Sequence, residues 1–522
     1  MIRKLGWLYL RSGEMKGDLS AEDVVGALVE AAGVTDVVPS YDSVFVEFDA
    51  RVTTEEVLRH LVAGAATSPG RYERQQVQRT VSIPTLYGGV HGPDLEEVAR
   101  VTGMSEAQVV AAHAGAEYRV AAMGFLPGFA FMTGVHPALR VPRRATPRAT
   151  VPAHSVAIAN AQAGVYPLES PGGWNLLGRA LIAMYDPHRA EPFLVRPGDV
   201  VRFEPATPDG EPPPSPLPVR LLPVDPRLPT LKVIVPGLLD LVVDEGRFLV
   251  GRFGLARSGP LDAGCATLAN RLIGNPPHVP VLESTLTGPV LEAVRDVVVA
   301  VTGDALVPMV DGVRQASWTS LVLRRGQVLS FAPGAAGSRA YLAVPGGIES
   351  ATFMGSVAVD LRGLLGRSLR ADDVIGTLGS GGARAGRSFR PHARQGHVVT
   401  VRIVPGPQAS EAALAALTDA PFTVSRGDRT GIQLEGAAVP GGEVVSEGTP
   451  IGAVQVTSGG SPIVLMHDRG TLGGYHKPAV VHPDDLAKVA QMRPHQLLRF
   501  VLTTGGRTAE SRTSPRDRPP TR

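Results

Sequence analysis

The sequence predicts a mainly β protein with α+β parts, in which each half of the chain forms a β-barrel and a small α+β domain comes first. Three observations lead to this prediction. Short apolar strands broken by Gly and Pro run from Val81 to about Pro205. Similar segments recur in the two halves. The 522 residues include 60 Gly and 46 Pro but only 5% aromatic residues, which is typical of many turns and short strands.

Residues 1–80 are predicted to form the small α+β domain. Two amphipathic helical patterns, LSAEDVVGALVEAAG and TTEEVLRHLVAG, flank the alternating strand SVFVEFDA. Ser20 precedes the first helix and Thr53 or Thr54 the second, and acidic residues follow in each first turn. These are the features of helix N-termini, so both helices have a predicted start.

The rest of the chain divides at two stretches that have little to bury. Within 207–230, the segment TPDGEPPPSPLP predicts an extended polyproline II linker, and 379–396 is a Gly/Arg-rich second linker. The predicted units are therefore a first barrel at 81–206, a β-rich part at 231–378 and a second barrel at 397–505. The polar tail 506–522 is predicted to be disordered.

Internal similarity supports two related barrels. RPGDVVRFEP (196–205) matches RPHQLLRF (493–500), each as a terminal strand, and RGQVLSFAP (325–333) matches more loosely. SVAIANAQ and GTPIGAVQ both end in Gln, and each is followed by two glycines and an aromatic residue. One related barrel in each half explains the shared order of these features.

Composition excludes several classes of protein. Basic and acidic residues nearly balance, at 51 and 49, and no basic stripe with interleaved aromatic residues occurs, so nucleic-acid binding is not predicted. The single cysteine, Cys265, cannot form an intramolecular disulfide and fits a reducing cytoplasm. The N-terminus lacks the apolar core of a signal peptide, and no apolar run approaches membrane-spanning length.

In the first half, candidate binding residues lie in three segments dense in Gly, Pro and Arg: MGFLPGFAFM, RVPRRATPRATVP and GVYPLESPGGWNLLGR. A loop that presents arginines could clamp a carboxylate or phosphate, and paired glycines let backbone amides approach a ligand. Solvated surface arginines and a packing role for the tryptophan are the alternatives. The candidates in these segments are Arg143, Arg148, Tyr166, Gly172, Gly173 and Trp174, and Ser155 and Gln162 lie between the second and the third segment. His113 is a candidate acid/base residue, with a packing role as its alternative.

In the second half, an apolar strand runs directly into seven polar or ionisable residues within PIVLMHDRGTLGGYHKPAVV. A loop at the end of a rigid strand is a common place for catalytic groups. Asp468 and Lys477 are the candidate catalytic residues, although Lys477 could also be a surface lysine or a partner of Asp468. Asp262, in a SGPLD turn, could bind a ligand or cap a helix. The remaining candidate binding residues are Asn270, Gln455, Arg469, Thr471, Gly473, Gly474 and Tyr475.

Several catalytic motifs are absent from the sequence. It contains no P-loop, His-Glu-x-x-His, Gly-x-Ser-x-Gly or Cys-x-x-Cys motif, and no Met-Lys-Met biotin-attachment site. We therefore expect no covalently attached biotin and no metal site, and we expect activity to require another protein.

The motifs resemble the 5-oxoprolinase/urea amidolyase family. YGGVHGPDLEEVA, MGFLPGFAFM and SPGGWNLLGR resemble the KipI-like subunit, and GLARSGPLD, LANRLIGN and PIVLMHDRGTLGGYHKPAVV resemble the KipA-like subunit. The resemblance covers nearly all of residues 1–505 and identifies the chain as a fusion of these two, which are the B and C subunits of 5-oxoprolinase. It implies that the barrels are cyclophilin-like.

The resemblance also implies a function. Members without biotin machinery open 5-oxoproline to glutamate with ATP, and by implication Mg²⁺, together with a third, LamB/YcsF-like 5-oxoprolinase subunit. The alternatives are a biotin-dependent carboxyltransferase of the urea amidolyase type and a non-catalytic regulator of a histidine kinase. A homo-oligomer is also compatible with the sequence. The chain departs from the family pattern at His154, where Gly is usual, and at Gly470 and Leu472, where polar residues are usual.

Overall fold

The computed structural model describes residues 5–11, 20–66, 79–207, 209–379, 384–391 and 396–503. The N-terminal domain is a three-stranded antiparallel sheet, in the order β1-β3-β2, with two helices. Its elements are β1 (Leu5–Arg11), α1 (Ala21–Leu28), β2 (Val34–Pro39), β3 (Ser43–Asp49) and α2 (Glu55–Ala66). The predicted helix start at Ser20 is confirmed and forms a capping box, in which the Ser20 hydroxyl accepts from the Asp23 backbone N–H and the Asp23 carboxylate accepts from the Ser20 N–H.

The sheet of this domain is buried on both faces. Val44, Val46 and Phe48 of β3 pack with the helices, whereas Phe45 belongs to the core of the first barrel. Successive strand residues point to opposite faces, so β3 contributes to two cores at once. The N-terminal domain is therefore packed against the rest of the molecule.

Seven strands close the first barrel, in the order β11-β4-β12-β5-β6-β9-β8. Helices α3 and α4 follow its first strand, and β7 and β10 form a separate two-stranded sheet. The elements are β4 (Thr80–Tyr87), α3 (Leu95–Thr102), α4 (Glu106–Ala114), β5 (Tyr118–Met123), β6 (Ala130–Thr133), β7 (Arg148–Val151), β8 (Ser155–Ala159), β9 (Gln162–Val165), β10 (Ser170–Gly172), β11 (Asn175–Ala180) and β12 (Val200–Pro205).

A middle part of two sheets and one helix follows. The six-stranded sheet has the order β19-β18-β21-β16-β13-β23, the five-stranded sheet has the order β14-β15-β22-β17-β20, and residues of both share one core with the helix. The elements are β13 (Pro229–Val235), β14 (Leu239–Val243), α5 (Ala263–Ile273), β15 (Val281–Thr285), β16 (Val290–Ala293), β17 (Val297–Thr302), β18 (Leu306–Val310), β19 (Val313–Arg314), β20 (Thr319–Leu323), β21 (Val328–Pro333), β22 (Arg339–Ala343) and β23 (Val374–Gly376).

The second barrel closes through a pairing between β24 and β30, with β27 attached outside the ring. Its elements are β24 (Val398–Pro405), α6 (Glu411–Asp419), β25 (Phe422–Gly427), β26 (Gly431–Glu435), β27 (Glu443–Gly448), β28 (Ala453–Val456), β29 (Pro462–Leu465), β30 (Leu472–Val481), α7 (Leu486–Ala490) and β31 (Leu497–Leu502).

The two barrels share one topology, which confirms the prediction of one barrel in each half. The ring β4-β12-β5-β6-β9-β8-β11 corresponds strand for strand to β24-β31-β25-β26-β29-β28-β30. In each barrel, the strand that comes first in the chain pairs in parallel with the strand that comes last, β4 with β12 and β24 with β31. The matching segments even form the same turn: the Arg196 N–H donates to the Asp199 carboxylate, and the Arg493 N–H donates to the Gln496 amide oxygen. This repeat was therefore identified correctly from the sequence.

Two of the internal matches are wrong in detail. The looser echo, RGQVLSFAP, forms β21 inside the six-stranded sheet and is not a terminal barrel strand. Gln162 opens β9, whereas Gln455 lies within β28, so these two glutamines are not equivalent. The Gly-Gly-aromatic segments do correspond, because the residue after each aromatic pairs with the fourth residue of the equivalent neighbouring strand, Asn175 with Ile158 and His476 with Val456.

In the predicted linkers, residues 209–218 have no regular secondary structure and none is buried, and residues 384–390 are exposed. Both segments are nevertheless attached to the middle part at a few points. In 207–230, the Val219 N–H donates to the Leu364 carbonyl, and Leu221 is buried. In 379–396, backbone bonds attach Arg387 to Ser320 at the edge of β20. Residues 380–383 and 392–395 and the predicted tail 506–522 lie outside the described residues. None of the described helices is long and apolar enough to cross a membrane.

Candidate functional site

The loop that follows β29 carries the predicted catalytic residue Asp468, and the structure gives this carboxylate a buried ion pair. Arg429 donates from Nε to Oδ2 of Asp468 at 2.8 Å and from Nη2 to Oδ1 at 3.1 Å. Arg429 also pairs through Nη1 with Glu283 on β15 at 2.5 Å. All three side chains are buried. Asp468 therefore anchors its loop to the middle part and is fully engaged as a hydrogen-bond acceptor.

A second acidic group lies close to this pair. Asp360 is buried, and burial together with the nearby Asp468 raises its pKa to about 6. Its Oδ1 accepts from the Gly363 N–H, whereas Oδ2 has no hydrogen-bond partner among the described residues. Two buried carboxylates close together disfavour ionisation of both.

The two barrels meet beside this acidic pair. Arg362 donates from Nη1 to the Asp468 carbonyl at 3.2 Å and from Nη2 to the Phe125 carbonyl of the first half at 2.9 Å. Leu472 of the second half belongs to the core cluster of the first barrel, and a Cβ on Gly124 would lie 2.4 Å from its Cγ. The departure at Leu472 thus has a packing explanation: the side chain fills a space that Gly124 leaves open.

The N-terminal domain closes the same region from another side. Glu47 of β3 pairs with Arg257 Nη1 at 2.6 Å. Its neighbour Asp36 is fully buried, and burial followed by the charge of Glu47 raises its pKa to about 6. Arg469 lies near both acids and donates from Nε to the Thr449 carbonyl at 2.7 Å. The Arg469 side chain thus helps to hold the second barrel against the N-terminal domain.

Lys477 is a buried ion-pair partner, but not of Asp468. Its Nζ lies 3.1 Å from Glu447 and donates to the Tyr475 carbonyl at 3.2 Å. Glu447 also pairs with Arg11 of β1 at 3.2 Å. The pKa of Lys477 is lowered, because the effect of burial exceeds the opposite effect of the Glu447 charge. The predictions of a surface lysine and of a Lys477–Asp468 pair are both wrong.

A cavity of about 100 Å³ opens next to the polar loop. Leu5 of β1 lies on one side, Val243 at the end of β14 on another, and α5 forms a wall through Ala263, Ala266 and Asn270. His467 lines it directly before Asp468 in sequence. Three units of the molecule therefore contribute to one small cavity.

His467 opens the polar loop, and it is set in a cationic environment. Its Nδ1 is buried and has no hydrogen-bond partner among the described residues. Burial, followed by the charges of Arg257 and Arg429, lowers its pKa well below the usual value. The imidazole is neutral at pH 7 and can accept a hydrogen bond.

The predicted arginine clamp of the first barrel is already occupied. Arg148 makes a bidentate pair with Asp94, at 2.9 and 2.7 Å, and Arg144 donates to the same carboxylate at 2.6 Å. Arg143 is exposed and lowers the pKa values of nearby Tyr41 and Tyr166, against the larger effect of burial. Of these three arginines, Arg143 is the exposed one and is not paired with Asp94, so it remains the candidate for binding an anion.

The SPGGW segment forms a packed aromatic cluster. Trp174 is buried and contacts Phe129 edge-to-face at 5.6 Å. Gly172 allows the Tyr166 hydroxyl to approach, since a Cβ there would lie 2.4 Å from it. The Gly173 carbonyl accepts from the Arg144 N–H at 2.8 Å. The alternative that the tryptophan packs is correct.

Other candidates have packing or capping roles. His113 is fully buried among Tyr87, Tyr118 and Phe203, and burial lowers its pKa to about 3, so we do not retain it as a catalytic residue. Asp262 caps α5 by accepting from the Cys265 N–H at 2.9 Å, as its alternative predicted.

The remaining candidates are dispersed. Asn270 lines the cavity, but its side-chain Nδ2 donates to the Pro277 and Val279 carbonyls and its Oδ1 accepts from Asn275, so its polar atoms are used within the fold. Ser155 donates to the Pro152 carbonyl in a turn, and Gln162 lies near the Tyr41 hydroxyl. Thr471 is buried, and its carbonyl accepts from the Thr449 N–H. The last four candidates lie on the paired strands β28 and β30: Gln455, Gly473, Gly474 and Tyr475.

Sequence reasoning missed the partners that complete the charge network: Arg429, Glu283, Glu447, Glu47 and Arg257. No local pattern marks them, because each lies far along the chain from its partner. His467 lies directly before Asp468 in the same polar run, so the run itself is the sequence signal that points to it.

Two family models match the chain. Residues 19–195 match the carboxyltransferase domain, subdomain C and D, and residues 253–502 match the carboxyltransferase domain, subdomain A and B. The fold and the matches define the class of protein: a carboxyltransferase-domain protein that carries both subdomain pairs in one polypeptide.

Individual relatives narrow this class. The 5-oxoprolinase B subunit of Bacillus subtilis (strain 168) is 38% identical over 185 residues, which are 33% of this chain and 75% of that protein. The 5-oxoprolinase C subunit of Escherichia coli (strain K12) is 33% identical over 290 residues, which are 52% of this chain and 90% of that protein. The chain belongs to the family of the 5-oxoprolinase B and C subunits, with the B-like part first.

Three further matches show how much of each chain this similarity covers. The crystal structure of TTHA0988 has a TM-score of 0.89 and 47% identity, and the match covers 95% of this chain and all of that one. The chain spans only 58% of the length of the 5-oxoprolinase B subunit of Escherichia coli O157:H7, at 52% identity, and 16% of the Saccharomyces cerevisiae urea amidolyase, at 28% identity.

Proposed function

We propose that this chain is the combined B and C component of an ATP-dependent 5-oxoprolinase, which hydrolyses 5-oxo-L-proline to L-glutamate together with a third, LamB/YcsF-like subunit. One observation carries the proposal: the parts that resemble separate 5-oxoprolinase B and C subunits interlock in one molecule, with Leu472 packed into the first barrel beside Gly124. A cytoplasmic location is part of the proposal and fits the single buried cysteine, Cys265.

The chemistry explains why such a component needs help. A lactam carbonyl is a poor electrophile, and phosphorylation of its oxygen by ATP would let water open the ring. This requires hydrogen-bond donors around the developing charge and exclusion of bulk water. The cavity beside His467 offers a small, partly open space, lined by Arg257 as well as by Asp244 and Glu245.

Neither the arginines of the first barrel nor the cavity beside His467 forms a fitting ATP site. Arg144 and Arg148 share the charge of Asp94, and the cavity of about 100 Å³ is smaller than the roughly 300–1,000 Å³ of drug-sized ligand pockets. We therefore assign no step to ATP on this chain, and we propose that nucleotide and Mg²⁺ are bound with the help of the LamB/YcsF-like protein.

The roles proposed for the loop change accordingly. Asp468 and Lys477 hold buried ion pairs that fix the loop and β30, so they act as positioning residues in the proposal. His467 is the loop residue that lines the cavity, and its Nδ1 is buried without a hydrogen-bond partner among the described residues.

The test is reconstitution with a LamB/YcsF-like protein from the same genome. Purified together, the pair should form ADP and glutamate from 5-oxoproline, and each protein alone should form little of either product. If the pair produces no glutamate although both proteins are folded, the proposal is wrong.

A second candidate function is carboxyl transfer, which the names of both family models favour. Transfer of a carboxyl group from free carboxybiotin to a urea-like acceptor, without glutamate formation in the reconstituted pair, would select it.

A further inference from the structure

The Gly/Arg-rich segment of the second half presents a cluster of exposed arginines. Residues 379–396 include four Arg and neither Asp nor Glu. Arg384, Arg387 and Arg390 belong to the described part of this segment, and all three are exposed. Arg387 donates from Nη1 to the Arg271 carbonyl at 3.1 Å, and none of the three guanidinium groups forms an ion pair with a residue that the structure describes. Their charges are therefore open to solvent.

The backbone that carries these arginines is fixed in position. It runs antiparallel along the outer edge of β20, because the Ser320 N–H donates to the Arg387 carbonyl and the Phe389 N–H donates to the Trp318 carbonyl, both at 2.9 Å. We call residues 384–390 in this position the arginine edge. Binding to an ordered segment loses less conformational entropy than binding to a free loop, so the arginine edge is preorganised for a partner.

The acidic groups that flank β20 are engaged elsewhere. Asp296 accepts from Arg324 Nη1 and from the Arg325 N–H, each at 2.8 Å. Asp304 accepts from Trp318 Nε1 at 3.0 Å. The arginine edge is therefore a positive surface, and a partner with a negative surface complements it.

Apolar groups accompany the arginines. Phe389 is 43% exposed, and its ring centre lies 6.1 Å from that of Trp318. Val322 on β20 is 40% exposed. Arginine and aromatic residues are enriched in protein interfaces, where an apolar centre is surrounded by a polar rim. An aliphatic side chain such as Val322 adds nothing to binding of a phosphate backbone, so the combination favours a protein partner over a nucleic acid.

We propose that the arginine edge is the docking surface for the third, LamB/YcsF-like subunit, which meets it with an acidic surface. The inference rests on the proposed function and adds the place on this chain where the third subunit binds. The relatives of both halves are named as subunits of one enzyme, and the B-like and C-like parts are already joined in this chain. The surface for a further subunit is therefore expected outside the contacts between these parts, and the edge of β20 meets this condition.

Calorimetric titration of the full chain with the LamB/YcsF-like protein tests this inference. The double variant Arg384→Glu with Arg390→Glu reverses two charges of the arginine edge, and we expect it to weaken the association at least tenfold. Higher ionic strength should weaken the association of the unmodified chain more than that of the double variant, because salt screens the charges that the variant lacks. Phe389→Ser should also weaken the association, without a change of charge.

The matched control is Arg314→Glu with Arg499→Glu, which reverses two exposed arginines on β19 and β31. It should leave the affinity unchanged, and thermal denaturation should show that all variants are folded. Unchanged affinity in the arginine-edge double variant and in Phe389→Ser, with glutamate still formed, would overturn the docking surface and leave the proposed function intact. Equal weakening by both double variants would show a general effect of charge and would also overturn it.

Two further outcomes separate the proposals. If the unmodified pair associates through the arginine edge but forms no glutamate, the docking surface stands and the proposed function is wrong. If the unmodified proteins do not associate, or if a DNA duplex binds the chain and only that binding is lost in the double variant, the docking surface is wrong.

Discussion

At the scale of single residues, the molecule is characterised by buried charges that join distant parts of the chain. Arg429 links Glu283 and Asp468, and Lys477 links β30 to Glu447. Breaking a buried pair by removing one partner is costly, because an uncompensated charge stays out of water. These pairs therefore decide whether the polar loop is held in place.

Replacement of Arg429 tests this role. Arg429→Met leaves two carboxylates buried without their cation, and we expect a loss of about 3–5 kcal/mol in the free energy of unfolding. Chemical denaturation measures the loss. The control is Arg324→Met, which breaks the exposed pair with Asp296 and should cost at most about 1 kcal/mol. Equal losses of unfolding free energy in both variants would show that the buried ion pairs stabilise the protein no more than the exposed pair does.

Asp36 should make the stability of the protein depend on pH. Its pKa is raised from 3.8 to about 6 in the folded protein, so between about pH 4 and 6 the folded state keeps a proton on Asp36 that the unfolded chain has already lost. The Asp36 contribution to stability therefore falls as pH rises through this window and is constant above it. Two pKa units at about 1.4 kcal/mol each set a limit of about 3 kcal/mol.

Asp36→Asn removes this titration, so its stability relative to the unmodified protein should increase from pH 4 to pH 6 and then level off. Denaturation at several pH values measures the difference, with the exposed Asp42→Asn as control. Parallel stability curves for Asp36→Asn and the unmodified protein would contradict the prediction.

At the scale of elements, one loop from each barrel lies at the same junction, although the two loops are not equivalent in the repeat. The loop after β5 contributes Gly124 and Phe125, the loop before β30 contributes Gly470, and β30 begins with Leu472. Arg362 bonds to the carbonyls of both loops. The close approach requires a residue without a side chain at Gly124.

Gly124→Val should disturb this junction. The added Cβ would lie 2.4 Å from Leu472 Cγ, and overpacking of this kind costs about 1–3 kcal/mol. Thermal and chemical denaturation measure the change. Leu472→Ala in the same chain should recover part of the loss, because it makes room for the valine. Gly64→Val, at a helical glycine with open space around it, is the control and should be neutral or slightly stabilising. A full loss that Leu472→Ala does not reduce would argue against a direct contact.

The first linker segment shows how far composition reaches at this scale. The proline-rich stretch buries none of residues 209–218, whereas directly after it Leu221 is buried and Val219 is bonded to the middle part. A segment with no core of its own can still pack when two larger units provide the surface. Sequence patterns report what a segment could bury by itself and not what its neighbours bury against it.

At the scale of the whole molecule, the N-terminal domain joins the two halves. Tyr9 donates to the Gly448 carbonyl, Arg11 pairs with Glu447, and Glu47 pairs with Arg257. Each of these bonds connects the B-like part to the C-like part. The fused arrangement therefore gives one continuous structure, and the cavity beside His467 depends on that assembly because Leu5 and His467 both line it.

The sequence alone determined the architecture of each half. Hydrophobic alternation, helix caps and the internal repeat are local signals, so two barrels and a preceding α+β domain could be predicted, down to the matching turns at Arg196 and Arg493. The same sequence pointed to the polar loop at 467–477. Only the tertiary structure decided the roles within it. Asp468 and Lys477 meet partners 39 and 30 positions away, and His467 faces a cavity built from three units, because charge pairing and enclosure depend on which distant surfaces fold against each other.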